Sequence, residues 1–285
     1  VNILVTGRGK SGSWVIRGEQ LGAAIGAEVV PNALDIGPYD VAVMVKRPRM
    51  DLVDRARRAH VPLVWDVVDP WPQPEGNNWD RATCLSWLRS QLEAIKPAGI
   101  VAATHAMALD CEAIVAACRL KSSVLYLPHH ARPGLERNPI REQVKTIGYE
   151  GGPQYLGRWR AALESECRAR GWQWLENPAS LAQLDIVVAL RDVDGYAPRA
   201  WKSGVKLANA MGAGTPFVGS PEAGYMEMAV GVERFVESQG DLKRALDALT
   251  PVKERERVAG WFQTVAPKLE VVARKYSAWL ETVRA

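Results

Sequence analysis

KSGVKLANAMGAGTPFVGSPEAGYME, residues 202–227, reads as a helix, a glycine break, a short buried strand and a proline-opened second helix. Val205, Leu207, Ala208 and Met211 fall at helical spacing, so one face packs inward while Lys202, Lys206 and Asn209 point elsewhere. Gly212 and Gly214 break the helix, and residues 215–219 form the strand. Pro221 suits the first turn of the next helix, with Glu222 beside its positive end. Two lysines among helix termini and glycine loops make a place to hold phosphate. An ordinary αβα unit with solvated lysines accounts for the same spacing.

On either side, short β-branched runs alternate with amphipathic helices. In the first half the expected strands are 2–6, 28–30, 40–46, 62–68, 99–103 and 123–127, with helices at 13–25, 50–60, 80–95 and 106–118. Residues 128–141 are proline-rich, charged and aperiodic, which reads as a linker. Alternation restarts with strand 144–149, a loop at 150–153, helix 155–170, and strands 173–176 and 185–190. Strand 234–236 and helix 241–249 follow the opening stretch. Such alternation implies parallel sheets covered on both faces, an α/β class. The reading is two Rossmann-like domains facing a cleft, over 1–128 and 144–260, joined by a linker at 129–143. The tail, 261–285, keeps a three-four apolar spacing interrupted by Pro267, which predicts a kinked helix crossing back to the first domain.

At 285 residues, 47% hydrophobic and 24% charged, the chain has the composition of a soluble globular protein. It opens into a strand without a cleavable leader and has no run long enough to span a bilayer, so a cytoplasmic setting is expected. Cys84, Cys111, Cys118 and Cys167 lack metal-type spacing and read as reduced thiols. A net charge of +4 permits a phosphate-bearing partner, nucleic acid included, without demonstrating one. The eleven tryptophans suit a core but also stack on sugars and bases.

Gly7-Arg8-Gly9-Lys10-Ser11-Gly12 follows a strand, opens a helix and fits G-x-G-x-x-G. Leu4 stands where a Walker A loop needs glycine, and Glu28 precedes its strand rather than ending it. Gly9, Lys10, Ser11 and Gly12 are therefore read as a phosphate- or acceptor-facing loop, with a nicotinamide dinucleotide as the alternative ligand. In WDVVDPW, residues 65–71, the carboxylates Asp66 and Asp69 end a strand as candidate general bases, with two indoles for stacking. His105 ends another strand as a candidate acid or base, and His129-His130 falls in the linker. No metal is assigned. Arg191 joins Lys202 and Lys206 as cations for a diphosphate, and Gly148–Gly152 is a turn that a ligand can approach closely. Lys46, Arg47 and Arg49, with Arg55, Arg57 and Arg58, read as a solvated basic face or a polyanion contact.

The second half resembles the donor domain of GT-B glycosyltransferases. The resemblance rests on residues 185–227, on VKTIGYEGG and on the kinked terminal helix, with ANAMGAGTPFV in place of the family's EAMA-G-PVV. It implies a nucleoside-diphosphate sugar, a UDP-sugar above others, held by the second domain without a metal, and acceptor recognition by the first. It assigns Arg191 and Lys206 to the donor diphosphate, with Lys202 kept beside them as a candidate cation, and Gly151-Gly152 to phosphate or sugar. Glu222, Gly224 and Glu227 go near sugar or pyrophosphate. Asn209 stands where many members keep a ribose-binding glutamate, and Trp201 stands eight positions before it. The likeness to compact phage- or bacterial-type members implies an acceptor hydroxyl on a hydroxymethylated DNA base, otherwise on a glycan or small molecule. Alanine at Lys206 or Arg191 is expected to abolish transfer with the fold intact. The rival readings are an NAD(P)-dependent oxidoreductase, resting on Gly7–Gly12, and a non-catalytic nucleotide- or nucleic-acid-binding module.

Overall fold

The structure is a computed structural model and describes residues 1–69, 80–192 and 198–284. Its first half builds a parallel sheet of six strands: β1 (Ile3–Gly7), β2 (Glu28–Pro31), β3 (Val41–Val45), β4 (Leu63–Asp66), β5 (Gly99–Ala102) and β6 (Ser123–Tyr126), in the order β2-β1-β3-β4-β5-β6. Strand β3, VAVMV, is buried along its whole length because both faces of a parallel sheet are covered. Its side chains alternate between the two covers. Ala42 and Met44 face one cluster with Leu4, Trp65 and Ile100, whereas Val41, Val43 and Val45 face another with Val5 and Val101.

The second half builds a parallel sheet of five strands: β7 (Thr146–Tyr149), β8 (Gln173–Glu176), β9 (Ile186–Ala189), β10 (Phe217–Gly219) and β11 (Arg234–Phe235), ordered β11-β10-β9-β7-β8. Both sheets start in the middle, step to one side, then cross to the other. Their topological switch points, where loops diverge and leave a crevice, therefore lie between β1 and β3 and between β7 and β9.

Four helices join the first sheet: α1 (Leu21–Ala24), α2 (Met50–Arg58), α3 (Arg81–Ile95) and α4 (His105–Ala117). Asp80 and Thr104 cap α3 and α4 by accepting from the Thr83 and Met107 amides. The regular helix expected over 13–25 is instead a π-helical segment, Trp14–Gln20, running into α1. Gly18 explains the departure: a Cβ there would sit 2.4 Å from the Trp14 ring, so the buried indole lies against bare backbone.

In the second half, α5 (Trp159–Arg170), α6 (Val205–Ala213), α7 (Ala223–Met226) and α8 (Gln239–Ala248) surround the sheet. The tail is two helices, α9 (Val252–Val265) and α10 (Leu269–Arg284), parted at Pro267. Helix α9 packs on α6, while α10 crosses to the first sheet and buries Val272, Tyr276 and Leu280 against it. Burial of each such side chain contributes about 1.5–3 kcal/mol, which makes α10 a strap between the halves. The aperiodic segment after β6 is held along its length. The Ala131 amide donates to the Pro267 carbonyl, Asn138 donates to Ala213, and the buried Arg255 donates to the carbonyls of Arg141 and Glu142. Among the described residues no helix is long and apolar enough to cross a membrane.

Candidate active site

The switch point of the second sheet gathers the cations. Strand β7 ends in Tyr149, and the turn that follows takes Gly151 to φ +132°, a conformation that favours glycine. A Cβ at Gly151 would also lie 3.3 Å from Lys206 Nζ and 3.2 Å from the Tyr149 hydroxyl. Asn177, just past β8, fixes this turn by accepting from the Gly151 amide at 2.7 Å and donating to its carbonyl at 3.0 Å. Lys206, in the first turn of α6, reaches over the Tyr149 ring with Nζ 4.0 Å from the centroid. Across the crevice, Arg191 follows β9 and its Nε donates to the buried Glu222 carboxylate at 2.5 Å. The Arg191 amide donates to Ser220 Oγ, which fixes the loop after β10 to the loop after β9.

Electrostatics sharpen the picture. Burial pushes the Lys206 ammonium down to about 7, and repulsion from Lys202 adds to the effect against the pull of Glu222 and Glu150. Burial likewise pushes Lys202 down to about 8, opposed first by the attraction of Asp69. A half-buried cationic cluster of this kind gains from an added anion, because the anion removes mutual repulsion and restores the charged form.

Asp69 is the residue of the first domain brought to this cluster. It pairs with Lys46 and its charge acts on Lys202, so the carboxyl edges of the two sheets meet there. It is presented by Val68, a β-branched residue held at φ +57°. Pro70 and Trp71 of the same stretch lie outside the described residues, as do residues 193–197.

Other expected site residues are placed elsewhere. Asp66 is 1% exposed, with Oδ2 3.6 Å from Arg17 Nε, and burial raises its carboxyl above the usual range; it is a core group rather than a cleft base. Trp65 is fully buried and packs edge-on against Trp87, so it offers no stacking face to a ligand. His129 and His130 are buried beside Arg17, with His130 Nε2 2.9 Å from Gln20 Oε1. His105 heads α4 and is exposed, its ring edge-on to Tyr126.

Glu227 does not face the cation cluster. Its carboxylate accepts from the His105 and Ala106 amides at 2.7 and 3.2 Å and so caps α4 of the other domain. Gly224 is needed by the backbone: a Cβ there would lie 2.4 Å from the Lys202 carbonyl and the Gly204 amide. Asn209 is 7% exposed; its Oδ1 accepts from the Arg132 amide and its Nδ2 donates to Glu150. It ties the connecting segment to the β7 turn. Trp201 is fully buried among first-domain residues, with its indole N–H donating to Asp110 Oδ2 at 2.8 Å.

The loop of residues 7–12 does not have dinucleotide-binding geometry. The space beside Gly7 is filled by the Trp14 ring, 3.0 Å from where a Cβ would be. Gly12 has open space around it, so close helix–strand packing does not require it. Glu28 begins β2, at the opposite end from a ribose-binding acid. Gly9, Lys10 and Ser11 lie at the carboxyl edge of β1, with Lys10 left-handed and Ser11 Oγ accepting from the Trp14 amide.

Sequence reasoning missed Asn177, and it missed the contacts that join Lys46 to Asp69 and Asn209 to Glu150 and Arg132. Each directly follows or joins a strand end, which is the one signal that would have found them. Among the described residues no group of His, Cys, Asp or Glu converges in a metal-binding arrangement.

No protein-family model matches the chain, and no curated protein matches its sequence. Solved structures match it over nearly its whole length. HepE of Anabaena, in complex with UDP and glucose, superposes with a TM-score of 0.65 at 13% identity, covering 99% of each chain. Sucrose-phosphate synthase of Thermosynechococcus elongatus gives 0.60 at 12% identity, also covering 99% of each. WaaG, a glycosyltransferase involved in lipopolysaccharide biosynthesis, gives 0.60 at 12% identity over 96% of this chain and 98% of its own. The chain has the fold of these proteins, the GT-B architecture.

Proposed function

We propose that this protein is a glycosyltransferase that moves a sugar from a nucleoside-diphosphate sugar, a UDP-sugar, to an acceptor hydroxyl. The observation that carries the proposal is that Lys206 reaches the glycine turn after β7, at a switch point, with Lys202 and Arg191 close enough for the three charges to act on one another. HepE, whose fold this chain shares, is also known in complex with UDP-glucose. The acceptor hydroxyl belongs to a small molecule, a glycan or a hydroxymethylated DNA base.

In the reaction the bond from the anomeric carbon to the diphosphate oxygen breaks, and the oxygen keeps the electron pair. The acceptor oxygen forms a new bond to that carbon and gives up its proton, for which Asp69 is assigned as base. Negative charge on the leaving diphosphate grows toward the transition state, so lysines already held there stabilise it more than the ground state. Arg191 has a second duty. Its buried pairing with Glu222 means that removing it strands a carboxylate at a cost of about 3–5 kcal/mol, so Arg191→Ala tests folding as much as transfer.

Lys206→Met is the cleaner test. The wild type should be stabilised by UDP, by about 2.7 kcal/mol at a hundred times the dissociation constant. Lys206→Met should keep its melting temperature and lose that response. Stabilisation by NADH alone, or a UDP response undiminished in Lys206→Met, would overturn the proposal.

A further inference from the structure

The first sheet has its own crevice. At the switch point between β1 and β3 lies a cavity of ≈ 390 Å³, bounded by the loops after β1, β2 and β3 and by Leu52 of α2. Three guanidinium side chains line it: Arg8 from the loop after β1, and Arg47 and Arg49 from the loop after β3. Its floor includes the apolar Met44 and Leu52. Arg49 is fixed in place, donating to both Asp51 oxygens and to the Ala33 carbonyl. Arg49 is thus paired with Asp51, and Arg8 and Arg47 bring two further guanidinium groups to the wall.

Two further observations tie this cavity to function. Lys10, Asn32 and Lys46, on the loops after the three strands that border it, are all non-glycine residues with positive φ. Such conformations cost on the order of 1–3 kcal/mol each and collect where geometry matters more than stability. Lys46 also pairs with Asp69, whose charge acts on Lys202 of the donor cluster. The segment 46–49 therefore belongs to both crevices, with Asp69 between them.

We infer that this cavity is the acceptor subsite and that the acceptor carries a phosphate group. The inference rests on the transferase reading above. The phosphate lies on Arg8 and Arg47 along the wall that Arg49 completes, the apolar part of the acceptor rests on Met44 and Leu52, and the hydroxyl points toward Asp69. Asn32 and Gln91 add amides to the lining that suit neutral hydroxyls of the acceptor, while three clustered arginines, each a planar fork of N–H donors, match the charge and paired oxygens of a phosphate. The same chemistry comes from a small phosphate ester or from the phosphodiester of a nucleic-acid strand.

The test uses protein saturated with UDP, so that the donor cluster is occupied. Phenyl phosphate and phenyl β-glucoside are titrated by calorimetry into wild type and into the Arg8→Gln, Arg47→Gln double variant. Phenyl phosphate should bind wild type at least about tenfold tighter than the glucoside, and the double variant should lose most of that difference while its UDP affinity stays within about twofold. A short single-stranded oligonucleotide binding at least about tenfold tighter than phenyl phosphate, with a steep salt dependence, identifies a strand as the source; equal or weaker binding identifies a small ester. Equal binding of the two phenyl ligands, or an unchanged double variant, overturns the inference. If wild type binds phenyl phosphate through Arg8 and Arg47 but never binds UDP, the transferase reading fails and the phosphate site stands.

Discussion

Raising the pH from about 7.5 to about 9 should weaken UDP binding by roughly two-hundredfold, with protons taken up from solvent as the complex forms. In the free protein Lys206 sits at about 7 and Lys202 at about 8, so much of their charge is already absent in this range. A diphosphate among them favours the ammonium forms and returns both lysines toward their ordinary value. The free protein must then acquire protons to bind, and affinity falls as pH rises through the free-state values. With the bound values well above the window, Lys206 contributes about twenty-five-fold of the loss and Lys202 about eightfold. The diphosphate of UDP is already almost fully ionised at the start of this range, so the phosphate charge itself contributes little to the trend. Calorimetry in two buffers of different ionisation enthalpy should show a net uptake of protons, roughly one to two per UDP near pH 8. Lys206→Arg, whose guanidinium does not titrate, should flatten the loss to about eightfold. Affinity constant within about twofold over the range, with no proton uptake, would refute the placement of these lysines at the diphosphate.

Two further outcomes follow from the buried contacts. Trp201→Ala should cost about 3–5 kcal/mol in urea unfolding and raise the radius of gyration in solution scattering, because the indole fills first-domain core from the second half of the chain; an unchanged scattering profile would mean that the indole does not hold the domains together. His130, pushed down to about 4 by burial and by Arg17 against the attraction of Glu270, stays neutral in the fold but charges when unfolded, so it costs up to about 3 kcal/mol as pH falls from about 6.5 toward 4. The stability gap between wild type and His130→Gln should therefore shift in favour of the variant over that interval; parallel curves would count against the buried neutral histidine.

The strands were legible because a parallel sheet buried on both faces demands uninterrupted apolar residues, as in VAVMV of β3. Lys202 and Lys206 were legible as candidates because they stand four positions apart across the start of α6. What escaped was side-chain direction over short distances. Asp66 and Asp69 stand three residues apart at one strand end, yet Asp66 turns into the core toward Arg17 while the left-handed Val68 swings Asp69 toward Lys46. Composition carries no trace of that choice. Long-range partnerships escaped too: Trp201 and Glu227 sit in the stretch that resembles a donor site, but both are committed to the first domain. The misread helix near Trp14 has the same cause, a glycine whose purpose appears only once the indole lies against it.

Those two commitments account for how the site is assembled. Each sheet places its crevice at the carboxyl edge of its own strands, so under the proposed function neither crevice alone would bring a donor and an acceptor together. Productive geometry requires the two edges to face each other and stay there. The second half supplies both fasteners from the loops flanking its cation cluster: Trp201 stands directly before Lys202, and Glu227 caps α4 five residues beyond Glu222. Because fastener and cation share a backbone segment, docking of the domains also fixes Lys202 beside Asp69. Helix α10 adds its apolar strap from the far side. The conformation that buries Trp201 is therefore the one in which the charges of the two domains meet.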